Sequence, residues 1–293
     1  IKFDILGLST LRMIEGCIER VLREQGNPDP SFKEIKAFYD EFLHPDKIDL
    51  NNQDIYENIF HEGKWAGIFQ FTEKGAQGFA KRAQPNSIID IAAITSIYRP
   101  GPLSAGVDKQ YVRAINDTLS IKYLHPLVEE VTKETYGFLI FQEQIAMLAY
   151  KLGEGITMDE ANLLRKVLTK KGTGKGHEAK EAIKEKFLRG CSNKDISIQE
   201  ATELWATFEY FSGYGFNKSH AVSYSIISYQ CAWLYNYFPA EWMCSFLDRE
   251  PDTRKEKAIN IAKSHGFAIH PININTSGEN WESDGNQSLT APL

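Results

Sequence analysis

The chain has 293 residues, of which 42% are hydrophobic and 12% aromatic. That is ample apolar side chain for a large core, so a disordered chain is excluded. Lys and Arg total 33 against 39 Asp and Glu, a formal charge of −6, which excludes a uniformly basic nucleic-acid-binding body and confines any polyanion site to a local patch. The most apolar stretch, Ser223 to Leu247, is broken by Ser, Gln, Asn, Pro and Glu, so a membrane span of about 20 residues is excluded too. The four cysteines, Cys17, Cys191, Cys231 and Cys244, form no CxxC pair and no zinc-ligand spacing, which points to a reducing intracellular compartment.

The start at Ile1 without Met and the uncapped end at Ser288–Leu293 read as a fragment cropped at both ends. Residues 1–8 read as a short strand ending at Gly7. Leu11, Ile14, Ile18, Val21 and Leu22 then repeat at helical spacing and predict a helix over 10–25, with Ser9 or Thr10 as its N-cap. A loop at 26–30 leads to a helical segment over 32–50 with a turn at His44-Pro45-Asp46. Ile68-Phe69-Gln70-Phe71 reads as a short strand. The apolar run 87–98 reads as a helix stopped by the rigid turn Tyr98-Arg99-Pro100-Gly101-Pro102.

Residues 137–141 suit a strand, and 142–152 and 158–171 suit helices. Gly172-Thr173-Gly174-Lys175-Gly176 reads as a flexible loop; it lacks P-loop spacing. Further helices are predicted over 178–189, 198–211, 219–237, 239–247 and 253–265, the last ending at Gly266. The fold class is mainly α, α+β overall, with few strands.

Three places can carry chemistry. Residues 162–190 hold nine Lys or Arg against three Glu, a local +6. This suits phosphate groups, or else a solvated helix face, which Lys180 and Lys184 resemble. Arg165, Lys166 and Lys170 are better placed for phosphate, because Leu163, Leu164, Val167 and Leu168 should face the core and fix their helix. The second place is Gly213 to His220. Its glycines allow close backbone approach, Tyr214 and Phe216 can stack on a base, and Lys218 and His220 open a long helix whose dipole they oppose. A helix cap with a buried aromatic is the plainer alternative. The third is Asp4, with Lys2 on the same strand face: a metal-binding carboxylate beside a phosphate-binding base, or a salt bridge at a strand end. Arg99 could pin a phosphate from its turn.

The segments Lys2–Leu8, Gly67–Phe71, Tyr98–Pro102, Thr135–Gly137, Gln142–Gln144, Leu163–Lys166 and Gly213–His220 together resemble the alpha subunits of bacterial DNA polymerase III, the family C replicative polymerases. Seven such segments in the family's order span nearly the whole chain. The resemblance implies three parts: the C-terminal strand and helix of a nucleotidyltransferase-type palm over 1–19, a helical fingers domain over 20–265, and a connection into a downstream domain over 266–293. It implies DNA-directed DNA polymerase activity, with Asp4 as the third of three catalytic aspartates and a ligand of a two-Mg2+ site whose other ligands lie outside this chain.

By the same resemblance Lys2, Arg165, Lys166, Lys218 and His220 bind the phosphates of the incoming deoxynucleoside triphosphate (dNTP), and Arg99, Lys170 and Tyr214 bind nucleic acid. The implied partners are primer-template DNA, dNTPs, and the sliding clamp and other replisome subunits through regions outside the fragment. The implied location is the cytoplasm, with no membrane. Lys166 stands where the family's usual motif has a second Arg; it keeps the charge but loses the planar fork. The alternatives are a non-catalytic nucleic-acid-binding domain, which has no use for Asp4, and a replisome scaffold, for which the basic patch is only solvated surface.

Overall fold

The computed structural model describes residues 7–168, 175–212, 215–284 and 287–293. The chain divides into two compact units, Ile1–Ile88 with Ser225–Leu293, and Ile89–Tyr224. The architecture is mainly α, as the periodicity predicts, with one small sheet near the C-terminus.

In the first unit α1 (Ser9–Glu24) starts one residue earlier than its sequence suggests, with Leu8 extended before it. Its buried face carries Met13, Ile14, Cys17, Ile18 and Val21, the i, i+3, i+4 stripe of an amphipathic helix. Gly26, at φ +99°, follows the helix. α2 (Phe32–Phe38) opens with a Ser31–Glu34 capping box and runs into a π-helical turn, Tyr39–Leu43. The short α3 (Gln53–Ile55) and α4 (Lys74–Ala83) follow.

The predicted strand at Ile68–Phe71 is instead a pair of turns. Gly67 and Gln70 both take positive φ, which breaks an extended run. Side chains take the segment's carbonyls in place of a neighbouring strand: Ser228 donates to Phe69 O at 2.9 Å and Gln77 to Phe71 O at 2.8 Å. Its apolar residues are still core, with Ile68 and Phe71 buried.

The second unit begins with α5 (Ile88–Ile97), buried on nearly all sides. The turn predicted at Arg99–Pro102 proves to be a helix start. Arg99 is an extended N-cap, and Pro100 occupies the first position of α6 (Pro100–Ser104), where its fixed φ fits and its missing N–H costs nothing. α7 (Val107–Ile115) and α8 (Pro126–Thr132) lead to the central bundle: α9 (Gln142–Leu152), α10 (Met158–Leu168), α11 (Lys175–Ser192) and α12 (Ile198–Ser212). Leu148, Leu152, Leu164, Phe187, Trp205 and Phe208 form its buried centre, with the Phe187, Trp205 and Phe208 rings packed at centroid distances of 5.3–5.8 Å.

Thr157–Glu160 and Ser197–Glu200 bond reciprocally before α10 and α12, satisfying helix-start N–H groups. Gly176, predicted as loop, lies in α11, while 169–174 fall outside the described residues. The strand predicted over 137–141 reduces to one parallel bridge, Phe141 with Phe216.

α13 (Lys218–Tyr237) carries the chain back into the first unit. There α14 (Pro239–Arg249) packs on α1: Arg20 bonds Asp248 and donates to Ser245 at 3.2 Å. α15 (Asp252–Ser264) ends before Gly266, at φ +88°. The closing sheet has the order β1 (Ala268–His270), β3 (Ser288–Thr290), β2 (Glu282–Ser283). β1 is parallel and β2 antiparallel to β3, and Leu289 pairs with both Ile269 and Ser283.

Candidate functional site

The basic residues of the second unit fall into two groups. Part of the +6 segment is compensated in space among the described residues. Lys180 meets Glu209 at 2.9 Å, Lys186 meets Glu160 at 2.5 Å and Arg189 meets Glu154 at 3.4 Å. The first two pairs join neighbouring helices and the third joins α11 to the loop after α9, so the described part of the segment carries less open charge than the count along the chain suggests. Lys186 and the Thr157 N–H hold the Glu160 carboxyl below its ordinary value of 4.5.

Arg165 behaves differently. Leu164 is buried and anchors α10, although Leu163, expected in the core, is exposed. From this helix the Arg165 guanidinium donates to Glu143 Oε1 at 3.2 Å. Glu143 lies in the first turn of α9, and that turn is itself fastened. Gln142 N–H donates to Phe216 O at 2.9 Å, and Phe216 N–H to Ile140 O at 3.1 Å. Buried Gln144 accepts from Ile140 and Phe141 N–H at 2.9 and 3.0 Å and donates to Thr135 at 2.7 Å. The Phe141–Phe216 bridge thus brings the segment before α13 to the start of α9.

At that junction Glu143 gathers three donors. Besides Arg165, Asn217 donates to Oε1 at 2.9 Å and the Lys218 backbone N–H to Oε2 at 2.9 Å. Asn217 also caps α13, accepting from His220 N–H at 2.9 Å. The Lys218 ammonium donates to both oxygens of Glu134, at 2.7 Å each, and stands 5.9 Å from the centre of the Phe141 ring. The side chains of both ion pairs are about a quarter to a third exposed: 24% for Arg165, 34% for Glu143, 32% for Lys218 and 35% for Glu134. A solute can therefore reach both cations.

Beside this cluster the Arg99 guanidinium lies 3.7 Å from the centre of the Phe216 ring. Burial pulls its pKa below the ordinary arginine value, yet it remains a cation. Phe216 is edge-on to His220 at 5.3 Å, and His220 is 4.1 Å from Tyr224. His220 therefore belongs to a ladder of rings rather than to an ion pair. Lys166 is exposed on α10. Lys2, Asp4, Lys170 and Tyr214, all singled out from the sequence, lie outside the described residues.

Sequence reasoning missed the carboxylates. Asn217 has a local signal as an N-cap residue type immediately before a helix. Glu143 stands in the segment Gln142–Gln144 that carries the family resemblance, but no spacing signal links it or Glu134 to Lys218, which they meet across 75 and 84 residues of chain.

The family model for the bacterial DNA polymerase III alpha subunit finger domain matches residues 29–195, more than half of the chain. The chain belongs to the bacterial DNA polymerase III alpha subunit family. Curated relatives named DNA polymerase III subunit alpha match along almost the whole chain. The Aquifex aeolicus protein is 32% identical over 290 residues, 99% of this chain and 23% of the relative. The Rickettsia prowazekii protein is 37% identical over 281 residues, 94% and 22%, and that of Borreliella burgdorferi is 36% identical over 272 residues, 93% and 22%. The chain thus spans less than a quarter of the length of these relatives. Within the matched finger domain lie Arg99, Glu134, Glu143, Arg165 and Lys166; Lys218 and His220 follow it in the chain.

Among the described residues no group of three His, Cys, Asp or Glu could hold a metal ion, and no helix is long and apolar enough to cross a membrane. The four cysteines are buried free thiols. Burial pushes Cys191 to about 11 and Cys231 and Cys244 to about 12, which disqualifies them as nucleophiles at neutral pH.

Proposed function

We propose that this chain forms the nucleotide-binding fingers of a replicative DNA-directed DNA polymerase, which transfers nucleotidyl groups from dNTPs to a primer 3′ end on a template. The observation that carries the reading is the meeting of Arg165 and the α13 N-terminus on one carboxylate, Glu143. The Arg165 guanidinium and the start of α13, which carries Lys218, are thereby held at one carboxylate although they lie far apart in sequence, an arrangement that suits a triphosphate. Only Nη1 of Arg165 is engaged among the described residues, so its remaining donors can grip a phosphate. Lys218 adds a mobile point charge. Together they would neutralise the bound triphosphate and the charge that develops on departing pyrophosphate.

Lys166 and His220 would extend the phosphate contacts, as would Lys2 from the palm side. Arg99, Lys170 and Tyr214 would face primer-template DNA. Magnesium would be held by Asp4 with carboxylates from elsewhere in the intact polymerase. The described residues do not themselves fit a metal site, and their part lies with the phosphates. On this reading residues 1–19 close the palm, 20–265 form the fingers and 266–293 lead onward. The sliding clamp and other replisome subunits engage other regions, and the enzyme acts in the cytoplasm. With one of three metal carboxylates, the chain alone does not extend a primer.

The test uses the intact polymerase. Arg165→Ala and Lys218→Ala are compared with wild type for nucleotide KM, kcat and DNA affinity. The reading requires nucleotide kcat/KM to fall while DNA affinity holds. Loss of DNA affinity with nucleotide KM unchanged would instead establish a nucleic-acid-binding module without a nucleotide site.

A further inference from the structure

Lys218 does not wait in solvent for its ligand. Its ammonium sits on both oxygens of Glu134 at 2.7 Å, a charge-assisted, two-oxygen contact. Glu134 is set on a rigid support, the single 3-10 turn Lys133–Thr135. Thr135 is fully buried there; its hydroxyl donates its one proton to Phe138 O at 2.6 Å, lies 3.1 Å from Thr132 O and accepts from Gln144. The acid is thus presented to the lysine by a fixed piece of backbone.

The neighbouring carboxylate, Glu143, has another character. It binds Arg165, Asn217 and the Lys218 backbone N–H together. Freeing it would release three donors on two elements, so it is a strut. Among the described residues Glu134 has one ionic partner, the tip of a flexible side chain. Displacing it releases one ammonium, which keeps a second neighbour in the Phe141 ring 5.9 Å away.

We propose that Glu134 is the resting counter-ion of Lys218, a positioning residue that the phosphates of the nucleotide displace on binding. The proposal rests on the functional reading above. It deepens that reading by making nucleotide affinity a competition between a carboxylate and a polyphosphate for one ammonium. Glu134 holds the lysine extended toward the site in the free enzyme. It also subtracts its own attraction from the affinity, so a ligand with little phosphate charge competes poorly. A partly exposed pair of this kind is worth little in isolation, and the effect is correspondingly modest.

The experiment uses the intact polymerase carrying Glu134→Gln, Lys218→Ala or both, with Glu134→Asp as a second variant that keeps the charge but withdraws it by one methylene. The amide of Glu134→Gln keeps the shape and an acceptor oxygen but loses the charge. Nucleotide KM and the inhibition constant of inorganic pyrophosphate are measured, with kcat alongside. In Glu134→Gln both constants should fall about two- to five-fold with kcat unchanged, and Glu134→Asp should lie between it and wild type. In the Lys218→Ala background the Glu134→Gln change should have no effect. A merely structural residue would raise KM or lower kcat when altered. An unchanged or raised KM in Glu134→Gln, where Lys218→Ala still weakens nucleotide binding, overturns the proposal and leaves the functional reading intact. So does a fall in KM that persists without Lys218. No response of nucleotide KM to Lys218→Ala overturns both.

Discussion

Arg165 and Lys218 bond to opposite oxygens of one carboxylate: the Arg165 guanidinium to Oε1 of Glu143 and the Lys218 backbone N–H to Oε2. The two residues belong to different helices, and Glu143 sets the distance between them. Because Lys218 uses its main chain here, its ammonium is left to pair with Glu134. Among the described residues Arg165 spends one of its five N–H donors. The cluster therefore fixes two helices through two ion pairs while leaving most of the guanidinium donors unused.

Glu143→Gln tests that strut. A glutamine presents one oxygen and one NH2, while all three groups around Glu143 are donors. One of the two sides must then face an N–H with an N–H, which leaves a bond unmade. The expected outcome is a rise of about tenfold in nucleotide KM with a melting shift of a few degrees at most. Steady-state kinetics together with thermal melting of the intact polymerase would check it. A wild-type KM in Glu143→Gln would mean that Arg165 and α13 keep their places without it.

The two cations should also prove coupled. Arg165→Ala and Lys218→Ala are each expected to cut nucleotide kcat/KM at least tenfold, about 1.4 kcal/mol of lost transition-state stabilisation. Since both neighbour the same carboxylate, the double variant should lose less than the product of the single losses. A double-mutant cycle on kcat/KM measures this. Strict additivity would show that they act on separate ligands.

Helices were legible from the chain because their signal is local. The stripe through Ile14, Ile18 and Val21, and the boundaries at Gln142 and Leu152, follow from spacing and flanking residues, although Leu11, read into the same stripe, is exposed and Met13 takes its place in the core. Ile68–Phe71 misleads because three apolar residues around Gln70 fit either a strand or a buried turn. Only tertiary partners, Ser228 and Gln77, decide which. The same limit governs the site. Arg165 and Lys218 stand out as cations on apolar helices, but the carboxylates they meet lie 22 and 75–84 residues away. No spacing rule reaches that far. Charge counted along 162–190 overstated the patch for the same reason, since Glu154, Glu160 and Glu209 come from outside that run or from other helices.

Asp4, proposed above as a metal-binding carboxylate of the palm, has its own test. In the intact polymerase Asp4→Asn should reduce turnover more than tenfold while sparing DNA affinity, because the amide keeps the shape and removes the charge that attracts a cation. Single-turnover rates and a DNA-binding isotherm separate the two effects. Turnover above about a tenth of wild type, equivalent to a loss under about 1.4 kcal/mol, would remove Asp4 from the proposed metal site.

Acid should loosen the α10–α11 pairing through Glu160. Its carboxyl is held below 4.5 by Lys186 first and by the Thr157 N–H second. A depressed folded-state pKa stabilises above the unfolded value, and that stabilisation is lost as pH falls through the lower folded value. Protection of the amides in 158–168 and 175–192, measured as exchange relative to the unfolded chain at the same pH, should therefore fall below pH 4.5 in the wild type. Glu160→Gln should exchange faster at pH 7 and show a flatter dependence below 4.5. Parallel profiles for the two proteins would remove Glu160 as the source of the acid sensitivity.

The packing of the second unit turns on Gly190. A Cβ built there would overlap the Leu152 carbonyl oxygen, the Glu154 amide and the Gly153 carbonyl carbon, all backbone atoms at the C-terminal end of α9. Backbone cannot rotate out of the way as a side chain can, so α11 would have to move off α9. Two bonds at this contact would move with it: Glu154 N–H to Lys186 O at 2.9 Å, and the Lys194 ammonium to Leu152 O at 3.1 Å. The expected cost of Gly190→Ala is about 3 kcal/mol, at the upper end of overpacking penalties, despite the better helix propensity of alanine. Gly78→Ala is the control. It too lies inside a helix, α4, but its Cβ would meet only the far end of the Arg82 side chain at 3.4 Å. There the propensity gain of about 0.5–1 kcal/mol should appear as a small stabilisation. Hydrogen-exchange protection within 142–192 for the first variant and within 74–83 for the second reads the two effects separately. Equal, small shifts in both would mean that α11 and α9 do not approach as closely as Gly190 requires.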